Sequence, residues 1–206
     1  PLTGAQVVPA PSPAGPLRRV GGPLVASPAT PDPTAAPGLR RALGKWEMQD
    51  YGTAADWLRT QPFVAKDRIA ITGGSYGGYT TLMALTKGAP HFNVGLANSS
   101  VSDWRLYDTV YTERYMGLPK DHAKGYDAGS VLKSAKDLSG KVLLMHGTLD
   151  DNVHPQNTTK LIDALIKKRK QFDLMIYPNE THGIRGTDEV THLWTMVYEY
   201  MERNLR

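Results

Sequence analysis

The segment Ile69-Ala70-Ile71-Thr72 runs directly into Gly73-Gly74-Ser75-Tyr76-Gly77-Gly78-Tyr79, and Thr80-Thr81-Leu82-Met83-Ala84-Leu85 follows. A Gly-x-Ser-x-Gly turn between a buried strand and a helix is what an exposed nucleophilic serine needs. The sharp turn forces Ser75 into a strained backbone geometry that only small neighbours tolerate, so glycines crowd it on both sides. Its hydroxyl then projects from the carboxyl end of a sheet. The following helix aims its positive end at any anion that forms there. The pentapeptide alone also serves plain packing turns. The strand before it, the helix after it and later acids and imidazoles lift it above that reading.

Those partners lie just past other strands, where the reactive groups of an open parallel sheet gather. After Lys141-Val-Leu-Leu-Met-His146 come Gly147-Thr148-Leu149-Asp150-Asp151-Asn152-Val153-His154. After the run ending at Tyr177 come Pro178-Asn179-Glu180-Thr181-His182-Gly183. The order Ser, Asp, His is that of the α/β-hydrolase triad. Ser75 attacks a carbonyl, His182 takes its proton, and a carboxylate fixes the imidazole tautomer and stabilises its cation. Spacing alone leaves Asp150 and Asp151 equally eligible. His146, ending a strand, reads as a residue that satisfies backbone groups. No ligand spacing such as H-E-x-x-H links His154 to the paired acids, so no metal is expected.

These groups must be held by a regular frame. Trp46 to Thr60 places Tyr51, Ala54, Ala55 and Leu58 on one stripe, which predicts a helix. Strands are predicted at Ile69 to Thr72, Asn93 to Ala97, Lys141 to His146 and Gln171 to Tyr177. A helix from about Pro155 to Lys168 buries Leu161, Ile162, Leu165 and Ile166. The last helix, about Asp188 to Asn204, aligns Val190, Leu193, Trp194, Val197, Tyr198 and Met201. Strands alternating with helices imply a parallel sheet covered on both faces, the α/β class.

With 206 residues, 40% apolar and 21% charged, the chain is long enough for one domain with a real core. It has no cysteine, which removes disulfides, thiolate metal sites and a cysteine nucleophile. No apolar run is long enough to span a membrane, and no basic-then-apolar leader opens the sequence. The net charge of +4 is mild. Lys167-Lys168-Arg169-Lys170 closes a helix, where cations complement the dipole, so nucleic acid is not an expected partner. Residues 1–38 carry ten of the fifteen prolines. They read as a proline-rich, disordered segment in which Val7-Val8 and Leu24-Val25-Ala26 are too short to anchor a sheet. The globular pattern covers 39–206.

Three stretches carry a specific resemblance: Gly74-Ser-Tyr-Gly-Gly-Tyr79, Tyr107-Asp-Thr-Val-Tyr-Thr-Glu-Arg-Tyr-Met-Gly-Leu-Pro119, and His146-Gly-Thr-Leu-Asp-Asp-Asn-Val-His-Pro-Gln156. Together they resemble the prolyl oligopeptidase family of serine peptidases, and the last two its dipeptidyl peptidase IV branch. The resemblance implies Asp150 as the triad acid beside Ser75 and His182, with the backbone N–H of Tyr76 as one oxyanion donor. It implies a pocket for the residue before the scissile bond, formed by Tyr76, Val101, Trp104, Tyr107, Tyr111 and Val153. Asn152 is implied as the donor to a substrate carbonyl. An aromatic-walled box suits proline, which is compact, apolar and without an N–H. Trp104, Tyr107 and Tyr111 at i, i+3, i+7 also fit a simple buried helix face. The implied activity is hydrolysis after proline or alanine in short peptides, through an acyl-enzyme and without a cofactor. The implied partners are the peptide substrate and a second copy of the chain in a homodimer.

The sequence departs from that family in three places. Gly74 stands where the branch usually carries Trp. No counterpart of the family's propeller domain is present. Upstream of Arg40-Arg41-Ala42-Leu43-Gly44-Lys45-Trp46-Glu47, the proline-rich stretch replaces several core strands, so the N-terminal strands are missing or atypical. The branch's second oxyanion donor is an upstream tyrosine, and no tyrosine precedes Tyr51. Losing one such donor costs about 10²–10³ in rate. Two other readings share the same residues: a carboxylesterase with this triad, and a catalytically weak remnant acting only by association.

Overall fold

A computed structural model describes residues 5–9, 42–88 and 90–205. Five strands form one sheet in the order β1-β2-β3-β4-β5: Ala5–Pro9, Ile69–Gly74, Val94–Asn98, Lys141–Gly147 and Asp173–Tyr177. β2 to β5 run parallel. Parallel neighbours require crossovers. α2 (Tyr76–Thr86) joins β2 to β3, and α6 (Gln156–Lys167) joins β4 to β5. Between β3 and β4 lie a 3₁₀ turn at Trp104–Leu106, α3 (Thr109–Met116), α4 (Ala123–Ala128), α5 (Val131–Ser134) and a second 3₁₀ turn at Ala135–Asp137. α1 (Trp46–Thr60) precedes the parallel strands and α7 (Thr187–Asn204) follows them.

The period of two along each strand divides the core into two layers. Ile69, Ile71, Ala97, Val142 and Leu144 face the layer built from α1, α2, α5 and α6. Ala70, Val94, Leu96, Leu143 and Met145 face α7 through Leu193, Val197 and Tyr200. Both faces of β2, β3 and β4 are therefore largely dry, while β5 leaves Leu174 and Ile176 exposed. The expected parallel sheet with helices on both faces is present.

The five residues Ala5–Pro9 correct the reading of the proline-rich segment. They pair antiparallel with β2, from Ala5 opposite Gly73 to Pro9 opposite Ile69. A ladder needs extended backbone rather than an apolar pattern, and β2 otherwise presents a row of unpaired amides. β1 lies at the sheet edge, where a proline's missing N–H is tolerated. Leu24-Val25-Ala26 lies outside the described residues.

Two apolar stripes are broader in sequence than in space. α7 buries Leu193 and Val197 but leaves Trp194 44% and Tyr198 60% exposed. Adjacent residues on a helix point about 100° apart, so a single contact line with the sheet cannot cover both members of each pair. α6 repeats the pattern, with Leu161 and Leu165 buried and Ile166 exposed. The Trp104–Tyr111 stretch is not one helix face either. Asp103 accepts the Arg105 N–H at 2.9 Å and caps the 3₁₀ turn. Asp108 then accepts the Tyr111 N–H at 2.8 Å and starts α3 separately.

Candidate active site

Ser75 occupies the turn between β2 and α2 with φ 58° and ψ −119°. A non-glycine residue held in so sparsely populated a region costs roughly 1–3 kcal/mol, and the surroundings must over-determine it. They do so through two bonds. The Ser75 N–H donates to the Asn98 carbonyl at 2.9 Å, and its own carbonyl accepts the Tyr79 N–H at 3.0 Å. Gly73 is needed for closeness: a Cβ there would stand 2.5 Å from the Gly77 carbonyl carbon. Tyr76 is the first residue of α2, so its N–H lacks an intrahelical acceptor.

Asp150 lies on the loop that follows β4. The loop after β4 folds so that Asp150 Oδ1 accepts the N–H groups of Asn152 at 3.1 Å and Val153 at 2.9 Å. That Asx-type turn fixes the carboxylate plane. His182, on the loop after β5, donates from Nδ1 to Oδ2 at 2.9 Å and approaches Oδ1 at 3.1 Å. His146 Nε2 reaches Oδ2 from below at 3.1 Å. Burial alone would push the Asp150 carboxyl up. The bonds from His146 and His182, the His182 charge and the Val153 N–H outweigh it and hold the group well below the usual carboxylate range. Asp151 is exposed and takes no part in these bonds.

Ser75, His182, Asp151 and Asn152 line one cavity of about 440 Å³, together with Arg185, Leu193 and Trp194. His182 is half-buried, its imidazole held on the Asp150 side through Nδ1 and left open at Nε2.

The aromatic residues assemble on the α1/α2 face of the elbow. Trp104 is their centre. Its ring lies 5.7 Å from Tyr76, 6.0 Å from Tyr107 and 5.8 Å from Tyr111, stacked on the last. Val101 and Val153 are fully buried in the same core. Burial raises the phenols of Tyr76 and Tyr107 above their ordinary value and pushes Tyr111 up to about 12, so these rings are uncharged at neutral pH. The Tyr107 hydroxyl donates to Asn152 Oδ1 at 2.8 Å. The Asn152 amide NH₂ is thereby directed away from Tyr107 and free for another acceptor.

Four contributors were not singled out as site residues. Glu47, in the first turn of α1, accepts from the Tyr76 hydroxyl and from the Gly44 N–H at 3.0 Å. Tyr79 packs edge-on against Trp104 at 4.9 Å and bonds the carbonyls of Leu43 and Gly129. Asn157, fully buried in α6, accepts the Ser102 N–H at 3.0 Å and so ties the Val101–Trp104 loop to that helix. His146 does satisfy a backbone carbonyl, that of Val153 at 2.8 Å, but it also touches Asp150. The only sequence signal for Glu47 and Tyr79 was their place in motifs read for other residues. Among the described residues no cluster of acids and imidazoles has the arrangement of a metal site.

A parallel sheet with a strained serine at a strand–helix elbow, and an acid and an imidazole past the ends of β4 and β5, defines the α/β-hydrolase class. Within it, the chain belongs to the prolyl oligopeptidase family, whose profile matches residues 37–206. Dipeptidyl peptidase 8 of mouse and of human is 40% identical over 167 residues, covering 79% of this chain and 19% of theirs. The crystal structure of Porphyromonas gingivalis dipeptidyl peptidase 4 superposes with a TM-score of 0.79 at 43% identity, covering 82% of this chain and 24% of that one. The chain spans about a fifth of the length of these dipeptidyl peptidases 8.

Proposed function

We propose that this chain carries the catalytic machinery of a serine peptidase that hydrolyses short peptides after proline or alanine. The observation that carries the proposal is the bond from His182 Nδ1 to the buried Asp150, with His182 and Ser75 lining one cavity. Asp150 accepts the Nδ1 proton, so the Nε2 lone pair is the one available to Ser75. As Ser75 Oγ attacks the carbonyl carbon, His182 Nε2 takes its proton. The carbonyl oxygen becomes an oxyanion and accepts the Tyr76 N–H at the positive end of α2. Collapse expels the amine, protonated by His182, and leaves an acyl-Ser75 ester. Water activated by the same imidazole then releases the acid.

The rings around Trp104 supply the selectivity. A proline side chain on the acyl side loses water against Trp104, Tyr107 and Tyr111 without stranding a polar group, and alanine fills the same box less completely. Asn152, its oxygen held by Tyr107, offers its NH₂ to the carbonyl one residue earlier. Homodimerisation belongs to the same reading. β5 is a sheet edge whose Leu174 and Ile176 are 42% and 40% exposed, a surface suited to a second copy. Light scattering of wild type and Ile176→Lys reads this directly: a dimer that the substitution dissociates supports it, and a wild-type monomer refutes it.

The test of the activity is labelling by a fluorophosphonate probe, compared between wild type and Ser75→Ala, with turnover of Gly-Pro and Ala-Pro anilides against short acyl esters. Labelling lost in Ser75→Ala together with anilide turnover is the expected result. Turnover of esters alone makes the chain an esterase, and no labelling removes Ser75 as a nucleophile.

A further inference from the structure

His146 is a fully buried polar side chain beside the site, and the triad chemistry described above gives it no task. It lies at the end of β4, fully buried, four residues before Asp150. Its Nε2 faces two atoms that can only accept, the Val153 carbonyl at 2.8 Å and Asp150 Oδ2 at 3.1 Å. That nitrogen therefore carries a proton. Its Nδ1 lies 2.7 Å from the hydroxyl of Thr158, in the first turn of α6. Thr158 is buried too, and its hydroxyl makes no other bond among the described residues, so it is free to donate to Nδ1. Both ring nitrogens are thus satisfied by a neutral imidazole with its proton on Nε2.

We infer that His146, its proton fixed on Nε2 by the two acceptors it faces, is a positioning residue for the reaction: it holds Asp150 Oδ2 in the line of His182 and takes up part of the carboxylate's charge. The inference rests on the triad reading of Asp150 and His182. Three hydrogen-bonding elements then converge on one carboxylate. The loop amides of Asn152 and Val153 grip Oδ1, His146 from β4 stands 3.1 Å from Oδ2 with its Nε2 proton shared with the Val153 carbonyl, and His182 is the partner left to move a proton. Arg185 lines the cavity beside His182. Tyr107 feels the Asp150 charge from the loop before α3, and the neighbouring Asp151 points to solvent. A donor on Oδ2 keeps the carboxylate ionised and also tempers its pull on the His182 proton. Without it, Asp150 stabilises the His182 imidazolium more strongly, and the base becomes harder to deprotonate before each turnover.

The test uses the full chain and three variants. His146→Phe keeps the ring volume and removes both nitrogens. His146→Gln restores a donor near the Nε2 position. Thr158→Val leaves the imidazole and the acceptors at Nε2 but removes the hydroxyl on Nδ1. In kcat/KM against pH for a Gly-Pro anilide, His146→Phe should lose about 10–100-fold, mostly in kcat, the size seen when a supporting hydrogen bond is removed from a reactive group. Its acid limb should move up by roughly one pH unit, the sign of a more basic His182. His146→Gln should stay within about fivefold of wild type, with the limb unmoved. If His146→Phe does not fold, ¹⁵N spectra of wild type and Thr158→Val decide. Both should show His146 with its proton on Nε2, because Thr158→Val leaves the Val153 carbonyl and Asp150 Oδ2 facing that nitrogen. A folded His146→Phe with unchanged kcat and limb overturns the inference, as does an Nδ1-protonated or titrating His146 in wild type. Wild type that labels at Ser75 while these readouts fail refutes the role of His146 alone. Wild type that never labels refutes the triad reading beneath it.

Discussion

Replacing Asp150 by Asn changes one atom, and the hydrogen bonds dictate how that atom orients. Oδ1 accepts two backbone N–H groups, from Asn152 at 3.1 Å and Val153 at 2.9 Å. An amide NH₂ cannot occupy that position without opposing both, so the Asn oxygen must take it. The NH₂ then occupies the Oδ2 position, 2.9 Å from His182 Nδ1 and 3.1 Å from His146 Nε2. Facing a donor, His182 must present a lone pair at Nδ1 and carry its proton on Nε2. That is the nitrogen meant to receive the proton of Ser75. In serine peptidases this tautomer error costs about 10⁴ in kcat. At 1.36 kcal/mol per tenfold it is roughly 5.5 kcal/mol of barrier. KM should change little, because no atom of the aromatic box moves. The assay is initial-rate hydrolysis of Gly-Pro p-nitroanilide by wild type, Asp150→Asn and Asp151→Asn, each checked for folding by circular dichroism. Asp150→Asn should fall about 10⁴-fold, while Asp151→Asn stays within about threefold. A folded Asp150→Asn that keeps a tenth of the wild-type rate, or a loss carried by Asp151→Asn, refutes the reasoning.

Three further outcomes follow from the same geometry. Tyr107→Phe keeps the ring in the box but releases Asn152, so kcat/KM for a dipeptidyl anilide should fall about fivefold, one hydrogen bond of roughly 1 kcal/mol. Tyr111→Ala opens the stacked wall against Trp104; proline-over-alanine preference should drop roughly tenfold or more, read from the two anilides side by side. Asp150 has a depressed folded-state value, so its contribution to stability is present above its unfolded value near 4 and fades as pH falls below that. The gap in melting temperature between wild type and Asp150→Asn should therefore narrow below about pH 4, and a gap that widens there has the wrong sign.

The legible parts of this molecule are those written in local pattern. The α1 boundaries, the strand ending at Ser75 and the positions of Asp150 and His182 past their strands all follow from burial period and strand–loop order. The choice of Asp150 over Asp151 does not. It depends on which carboxyl turns back onto the Asn152 and Val153 amides, and adjacent acids share every sequence signal. β1 was missed because its partner is the open edge of β2, a property of the sheet rather than of Val7-Val8. Glu47 was missed because its contact with Tyr76 joins residues 29 apart in the chain. The exposure of Trp194 and Tyr198 was misjudged because a helical stripe shows which residues share a side, but not how much neighbouring structure covers it.

The most direct measurement is the mass of the protein during turnover of an activated Gly-Pro ester. Quenching within the first turnover, followed by peptide mapping, should find the dipeptidyl adduct on the peptide containing Ser75. It should be absent from Ser75→Ala and should accumulate far more slowly in Asp150→Asn. Hydrolysis that proceeds at full rate with Ser75 unmodified, or an adduct on another residue, would contradict the central claim that this serine is the nucleophile.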